Sequence, residues 1–295
     1  CIRDSHSIIV KQLRNYEPSA NPSSSDYNNS NSFTGFTALV RPVFAEPTVA
    51  QELFPNREPA FDEWWFSENK ITAGYDPVTL ADKKSEALIR EEIAKHYPHH
   101  GVFGEEEGYA AGNGLTWVID PIDGTRGFMA GMLHWGMLLA LFDGETPVLG
   151  VAYQPYTGEL FYGVANSSWL QRGNEREKPL KTSSCVDLKL AFLGSTDETL
   201  FDEALKEKFL KLRNAVRVCR LGGDCYSYCA LAMGGLDVAI DPGLKPYDIQ
   251  ALIPIIKGAG GEITTFDGGN PSMGGDVVAS ANLTLHRKVL EVLNA

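Results

Sequence analysis

The chain has 295 residues, 43% of them hydrophobic, enough for one large core or two packed ones, and a net charge of −12. That acidity argues against a general binder of nucleic acid or anionic membrane, which needs clustered Lys and Arg. The five cysteines (1, 185, 219, 225 and 229) show neither CxxC pairing nor nearby His ligands, so they read as reduced thiols.

No apolar run approaches the roughly 20 residues of a membrane span, and no secretory n-region and h-region opens the chain, so a cytoplasmic location is expected. Residues 19–35, SANPSSSDYNNSNSFTG, are rich in Ser and Asn and read as a linker inside an atypical N-terminal extension, residues 1–60. Residues 37–65 hold apolar side chains such as Leu39, Val43, Phe44 and Trp64, but Pro42, Pro47, Pro55 and Pro59 preclude one long helix.

Residues 61–178 read as an α+β half. Thr79, with Asp82 three residues on, is a capping-box pair opening a helix, and Ala81, Ser85, Ile89, Ile93 and Tyr97 mark its buried ridge. Gly104-Glu105-Glu106-Glu107-Gly108 is then an acidic loop in which adjacent like charges repel. A solvated loop is its plain reading, and a bound cation would offset the repulsion. Trp117, Val118 and Ile119 form a buried strand that Asp120-Pro121 is expected to end. Asp123 follows, and Gly124-Thr125 opens a helix with a hydroxyl and free amides together. Two carboxylates and an anion nest thus share one turn, the parts of a site for phosphate and a divalent metal. Residues 135–142, 148–154 and 160–164 read as an antiparallel meander, with His134 a structural side chain.

Residues 179–295 alternate helix and strand as an α/β half: a helix over 200–212, a strand over 216–219, a helix after Gly223 and a strand over 236–241. In this half Asp224 reads as a cap of the helix that follows it. Lys245-Pro246-Tyr247-Asp248 precedes an apolar helix over 249–256 that Pro254 should kink. Asp82 and Asp248 also have ordinary capping roles. No G-x-S-x-G elbow and no P-loop occurs.

Asp120-Pro121-Ile122-Asp123-Gly124-Thr125, with Gly104-Glu105-Glu106 before it and Lys245-Pro246-Tyr247-Asp248 far downstream, resembles the signature of the inositol monophosphatase superfamily of magnesium-dependent, lithium-sensitive phosphatases. The resemblance runs from about residue 76 to the end. It implies an α+β fold, the layered α-β-α-β-α sandwich of the inositol monophosphatase/fructose-1,6-bisphosphatase type, and a homodimer. It implies two or three Mg²⁺ ions held by Glu105, Asp120, Asp123, Asp248 and the Ile122 carbonyl, with Glu106 supporting the metal waters. Thr125 and Glu105, with Asp82 behind them, would orient the attacking water, and the Gly124 and Thr125 amides would hold a phosphate monoester.

Leu221-Gly222-Gly223-Asp224-Cys225-Tyr226-Ser227-Tyr228, the stretch around Tyr247, and Arg126 resemble the histidinol-phosphate phosphatase branch, although most relatives carry Trp where Tyr247 stands. In that reading Asp224 and Asp241 face the amino and imidazole ends of histidinol, since an acidic wall suits a cationic amine. An inositol-phosphate or adenosine 3′,5′-bisphosphate phosphatase is the alternative. A catalytically silent, metal-binding regulatory protein is the alternative of another class.

Overall fold

Period-two apolar patterning builds two large sheets, and helical patterning builds the layers that cover them. The computed structural model describes residues 67–70, 77–173 and 175–295. The linker and the Pro-interrupted run read in residues 1–65 lie outside the described residues.

Strand β1 (Ser67–Asn69) pairs antiparallel with β2 (Pro77–Thr79), which leads into helix α1 (Leu80–His96). The capping box forms: the Thr79 hydroxyl accepts the Ala81 N–H, and Asp82 accepts the Thr79 N–H at 2.8 Å. Ala81, Ser85, Ile89 and Ile93 are buried on one ridge, while Tyr97 lies just past the helix as its C-cap.

The first sheet contains β3 (Gly101–Gly104), β4 (Gly108–Ala110), β5 (Thr116–Asp123), β6 (Gly136–Phe142), β7 (Pro147–Gln154), β8 (Glu159–Val164), β9 (Ser167–Arg172) and β10 (Lys178–Pro179), in the order β10-β9-β8-β7-β6-β5-β3-β4. Strands β6, β7 and β8 are the expected meander. Short helix α2 (Thr125–Met129) follows β5 directly. The second sheet has the order β12-β11-β13-β15-β14, built from β11 (Phe192–Ser195), β12 (Val218–Leu221), β13 (Val238–Leu244), β14 (Glu262–Thr265) and β15 (Gly275–Ser280). Around it run α3 (Glu203–Ala215), α4 (Asp224–Ala232), α5 (Pro246–Ile249), α6 (Leu252–Gly258) and α7 (Leu283–Leu293). Helix α3 starts at Glu203 because the Asp202 carboxylate caps it, accepting the Leu205 N–H at 2.9 Å.

Strand alternation sorts the side chains into layers. Trp117 and Ile119 face Ile89 and Ile93 of α1, whereas Val118 between them joins the core made with Cys229 of α4 and Ile255 of α6. In the second sheet Ala239 points to that same central core, while Val238 and Ile240 meet Phe209 of α3 and Leu285 of α7. The layer order is therefore α1, first sheet, α4 with α6, second sheet, α3 with α7: the expected α-β-α-β-α sandwich. The central packing is close enough to demand glycine, since a Cβ on Gly163 would lie 2.4 Å from the Ile255 nitrogen.

Two local expectations are corrected. Strand β5 does not end at Asp120-Pro121. It continues to Asp123, because pairing shifts from Asp120↔Leu138 to Asp123↔Gly136, a bulge that absorbs the proline's missing donor. The helix expected over 249–256 is two helices, α5 and α6, broken at Gln250 and Ala251. Pro254 has no N–H to give the Gln250 carbonyl, so the interruption falls one turn before the proline and not at it.

Candidate active site

The bulge in β5 decides the centre of the site. Residues three apart on a regular strand point to opposite faces, and the extra residue brings Asp120 and Asp123 to one side. Asp248, in the first turn of α5, joins them, and one oxygen of each carboxylate lies within 4.8 Å of the others. The local bonds fix each group. Asp120 accepts the Ile122 N–H at 3.0 Å, Asp123 accepts the Cys225 N–H at 2.7 Å from the start of α4, and Asp248 accepts the Lys245 N–H at 2.6 Å. Burial, followed by the surrounding carboxylates, pushes Asp120 and Asp123 far above the usual carboxylate range. Such a cluster offers oxygen donors only, which fits a hard divalent cation.

Glu105 stands beside this trio, in hydrogen-bond contact with Asp120. Its Oε1 is 2.8 Å from Lys70 Nζ, which also lies 2.6 Å from Glu106 Oε1. Burial raises Glu105 and takes Glu106 up to about 7, with the Lys70 ammonium pulling both back down. Asp82 is buried, accepts the Thr79 N–H and hydroxyl, and has its other oxygen 3.3 Å from the Thr125 hydroxyl, which is also 3.1 Å from the Ile122 carbonyl. Thr125, expected with Glu105 to orient the attacking water, thus has Asp82 behind it. The Tyr247 ring lies 5.8 Å from that of Phe103.

On the neighbouring side, Gly124 caps α2 at φ 85, and a Cβ there would lie 3.2 Å from the Asp224 side chain and 2.9 Å from the His134 carbonyl. Glycine is therefore required twice over, by conformation and by space. Asp224 is not the cap of α4. Gly223 is, and Asp224 takes the first helical position at φ 41, a left-handed conformation that Asp tolerates better than most residues. Burial raises the Asp224 carboxyl to about 6, against the pull of His134 and Arg126. Arg126 is exposed at the rim. Asp224 adjoins Asp123, on which it acts as the strongest neighbouring charge.

Asp241, expected at the histidinol end of the substrate, has its carboxylate bonded within the protein. It is 1% exposed, on the same face of β13 as Ala239, and its oxygens are taken by Ser195 Oγ at 3.2 Å, the Thr196 N–H at 2.7 Å and the Tyr228 hydroxyl at 3.1 Å. Burial lifts it to about 7. Strand parity turns it toward Tyr228 of α4.

With the geometry in hand, comparison with known proteins is decisive for the family. The inositol monophosphatase family profile matches residues 58–295. The chain belongs to the inositol monophosphatase family. The bifunctional phosphatase IMPL2, chloroplastic, of Arabidopsis thaliana is 36% identical over 229 residues, 74% of this chain and 65% of that protein, so this chain spans just under two thirds of it. The histidinol-phosphatase of Chlorobaculum parvum is 34% identical over 219 residues, covering 74% of this chain and 83% of that one. An inositol monophosphatase from Zymomonas mobilis has a similar structure, with TM-score 0.68 at 33% identity, 88% of this chain and 92% of that chain being covered.

Within this family member, sequence reasoning missed several residues of the site. Lys70 carries no motif and lies 35 positions before Glu105. Glu159 and Tyr226, 67 positions apart, bond at 2.7 Å and anchor the first turn of α4 beside Asp224. Glu86 had a usable signal, its position one helical turn after Asp82.

Proposed function

We propose that this chain is a Mg²⁺-dependent phosphomonoesterase that hydrolyses L-histidinol phosphate to L-histidinol and inorganic phosphate. Asp224 carries the substrate reading: a half-buried carboxylate seated against Gly124 and next to Asp123. A cationic amine on the leaving alcohol meets that charge, whereas inositol presents only neutral hydroxyls. The histidinol-phosphatase resemblance at 34% identity supports the same assignment.

Glu105, Asp120, Asp123, Asp248 and the Ile122 carbonyl would hold the cations, and Glu106 would support their waters. When bound, Mg²⁺ supplies Lewis-acid polarisation of the phosphoryl group and acidifies water at neutral pH. The protein's part is positional. Thr125, between Asp82 and the Ile122 carbonyl, orients the attacking water, and Glu105 takes part in holding it. The Gly124 and Thr125 amides receive the phosphoryl oxygens, and the buried setting strengthens each of these contacts. Asp224 and Arg126 fix the alcohol end.

Inorganic phosphate release from L-histidinol phosphate, inositol 1-phosphate and adenosine 3′,5′-bisphosphate, each with Mg²⁺ and with EDTA, tests this. A Mg²⁺-dependent preference for histidinol phosphate that Asp224→Ala abolishes is expected. Preference for either other ester, unchanged by Asp224→Ala, overturns the substrate assignment. Absence of release from any of them points to the silent, metal-binding alternative.

A further inference from the structure

Glu86 is 0% exposed on α1, and nothing in the reaction described above uses it. It stands one helical turn beyond Asp82 and one turn before Arg90, so the three lie on one stripe of the helix. Its Oε2 accepts the Glu106 N–H at 2.8 Å, and its Oε1 accepts the Glu107 N–H at 3.1 Å and the Arg90 Nε–H at 2.8 Å. Arg90 also donates to the Gly108 carbonyl at 2.5 Å. The remaining amide of the loop, that of Glu105, donates to the Ile119 carbonyl of β5 at 3.2 Å. Every N–H of residues 105–107 is therefore tied down, two of them by one buried carboxylate.

The motif's glycine has a steric reason in the same contact. A Cβ on Gly104 would lie 2.0 Å from Glu86 Oε1, so only glycine lets the carboxylate pass beneath the loop. A buried carboxylate is tolerated where charge-assisted bonds replace its water. Here the bonds come from the backbone of the loop whose side chains face Asp120 and Lys70.

We infer that Glu86, backed by Arg90, is a positioning residue for the metal centre: it sets the backbone of residues 105–107 so that Glu105 and Glu106 present their carboxylates to a divalent cation. The inference rests on the metal-dependent reading given above. Helix α1 then serves the site twice, through Asp82 at Thr125 and through Glu86 at the acidic loop.

The test is calorimetric titration of the full chain with Mg²⁺, together with thermal melts in EDTA. Glu105→Gln identifies the binding event that depends on the loop, and Asp123→Asn the one that depends on the aspartate cluster. Glu86→Gln places an amide NH₂ against backbone donors. It is expected to weaken the Glu105-dependent event about tenfold and to leave the other within about twofold, the usual range for a group that orients a ligand. Ile89→Val, on the same helix, should lower the melting temperature without moving either affinity. If Glu86→Gln does not fold, Arg90→Met takes its place with the same weakening expected. A folded variant at either position that binds Mg²⁺ as the wild type does at both events overturns the inference. Wild-type protein that binds no Mg²⁺ overturns the metal-dependent reading itself.

Discussion

Asp123→Asn separates the stability cost of the acidic cluster from its function. One oxygen from each of Asp120, Asp123 and Asp248 lies within 4.8 Å of the others. At an effective dielectric constant of about 20, one fully ionised pair at that distance repels by about 3 kcal/mol. Burial raises Asp120 and Asp123, so the cluster holds less than its full charge at neutral pH. Removing one carboxylate then relieves on the order of 1–3 kcal/mol without metal. Asparagine keeps an oxygen for the Cys225 N–H, now 2.7 Å from Asp123, so the link to α4 survives. In EDTA the variant should melt higher than the wild type, by about 2–4 °C per kcal/mol for a chain of this size class. With Mg²⁺ at about one hundred times its dissociation constant the wild type gains about 2.7 kcal/mol, and the variant should gain much less. Its Mg²⁺-dependent phosphate release should fall about a thousandfold, the loss of about 4 kcal/mol of transition-state stabilisation. Scanning calorimetry in EDTA and in Mg²⁺ reads both effects. A variant that melts lower than the wild type in EDTA, or shows the full wild-type shift with Mg²⁺, would refute the reasoning.

Asp224, raised to about 6 by burial against His134 and Arg126, should lose its hold on a cationic amine as it takes up a proton. The ratio of kcat/KM for L-histidinol phosphate to that for inositol 1-phosphate should therefore drop as pH falls through about 6; a ratio flat with pH counts against the role. His286 is 3% exposed, bonded to Thr264 and Ser280, and burial lowers it to about 4. A depressed histidine binds fewer protons folded than unfolded, so its contribution is present above about pH 6.5 and is lost as pH falls toward 4, about 3 kcal/mol in all. Denaturant unfolding of wild type and His286→Asn across that window should show a shallower acid slope in the variant. Gly163→Ala drives a methyl group to 2.4 Å from the Ile255 nitrogen, against backbone that cannot rotate away. A loss of about 1–3 kcal/mol is expected in the same assay, and a neutral result would mean that α6 shifts to admit the methyl group.

The chain alone made the class of the fold legible and singled out most residues of the candidate site. Asp120, Asp123, Thr125 and the capping pair of Thr79 and Asp82 announce themselves because turn and cap rules act over a few residues. The meander and the helix ridge of Ala81, Ser85, Ile89 and Ile93 are legible because burial imposes periods of two and 3.6. What sequence could not decide is which carboxylates share a space. Asp224 and Asp241 look alike in the chain, but strand parity buries Asp241 against Tyr228, while the left-handed start of α4 turns Asp224 toward Gly124. Pairing across the sheet, not the proline, sets where β5 ends and brings Asp120 and Asp123 to one face. Lys70 and Glu86 reach the acidic loop through contacts 35 and 20 positions long; helical spacing from Asp82 marks Glu86 on its helix, but not the loop it meets. Local rules act between neighbours in the chain, and a metal-ligand cluster is a fact about neighbours in space, so only tertiary packing could assemble it.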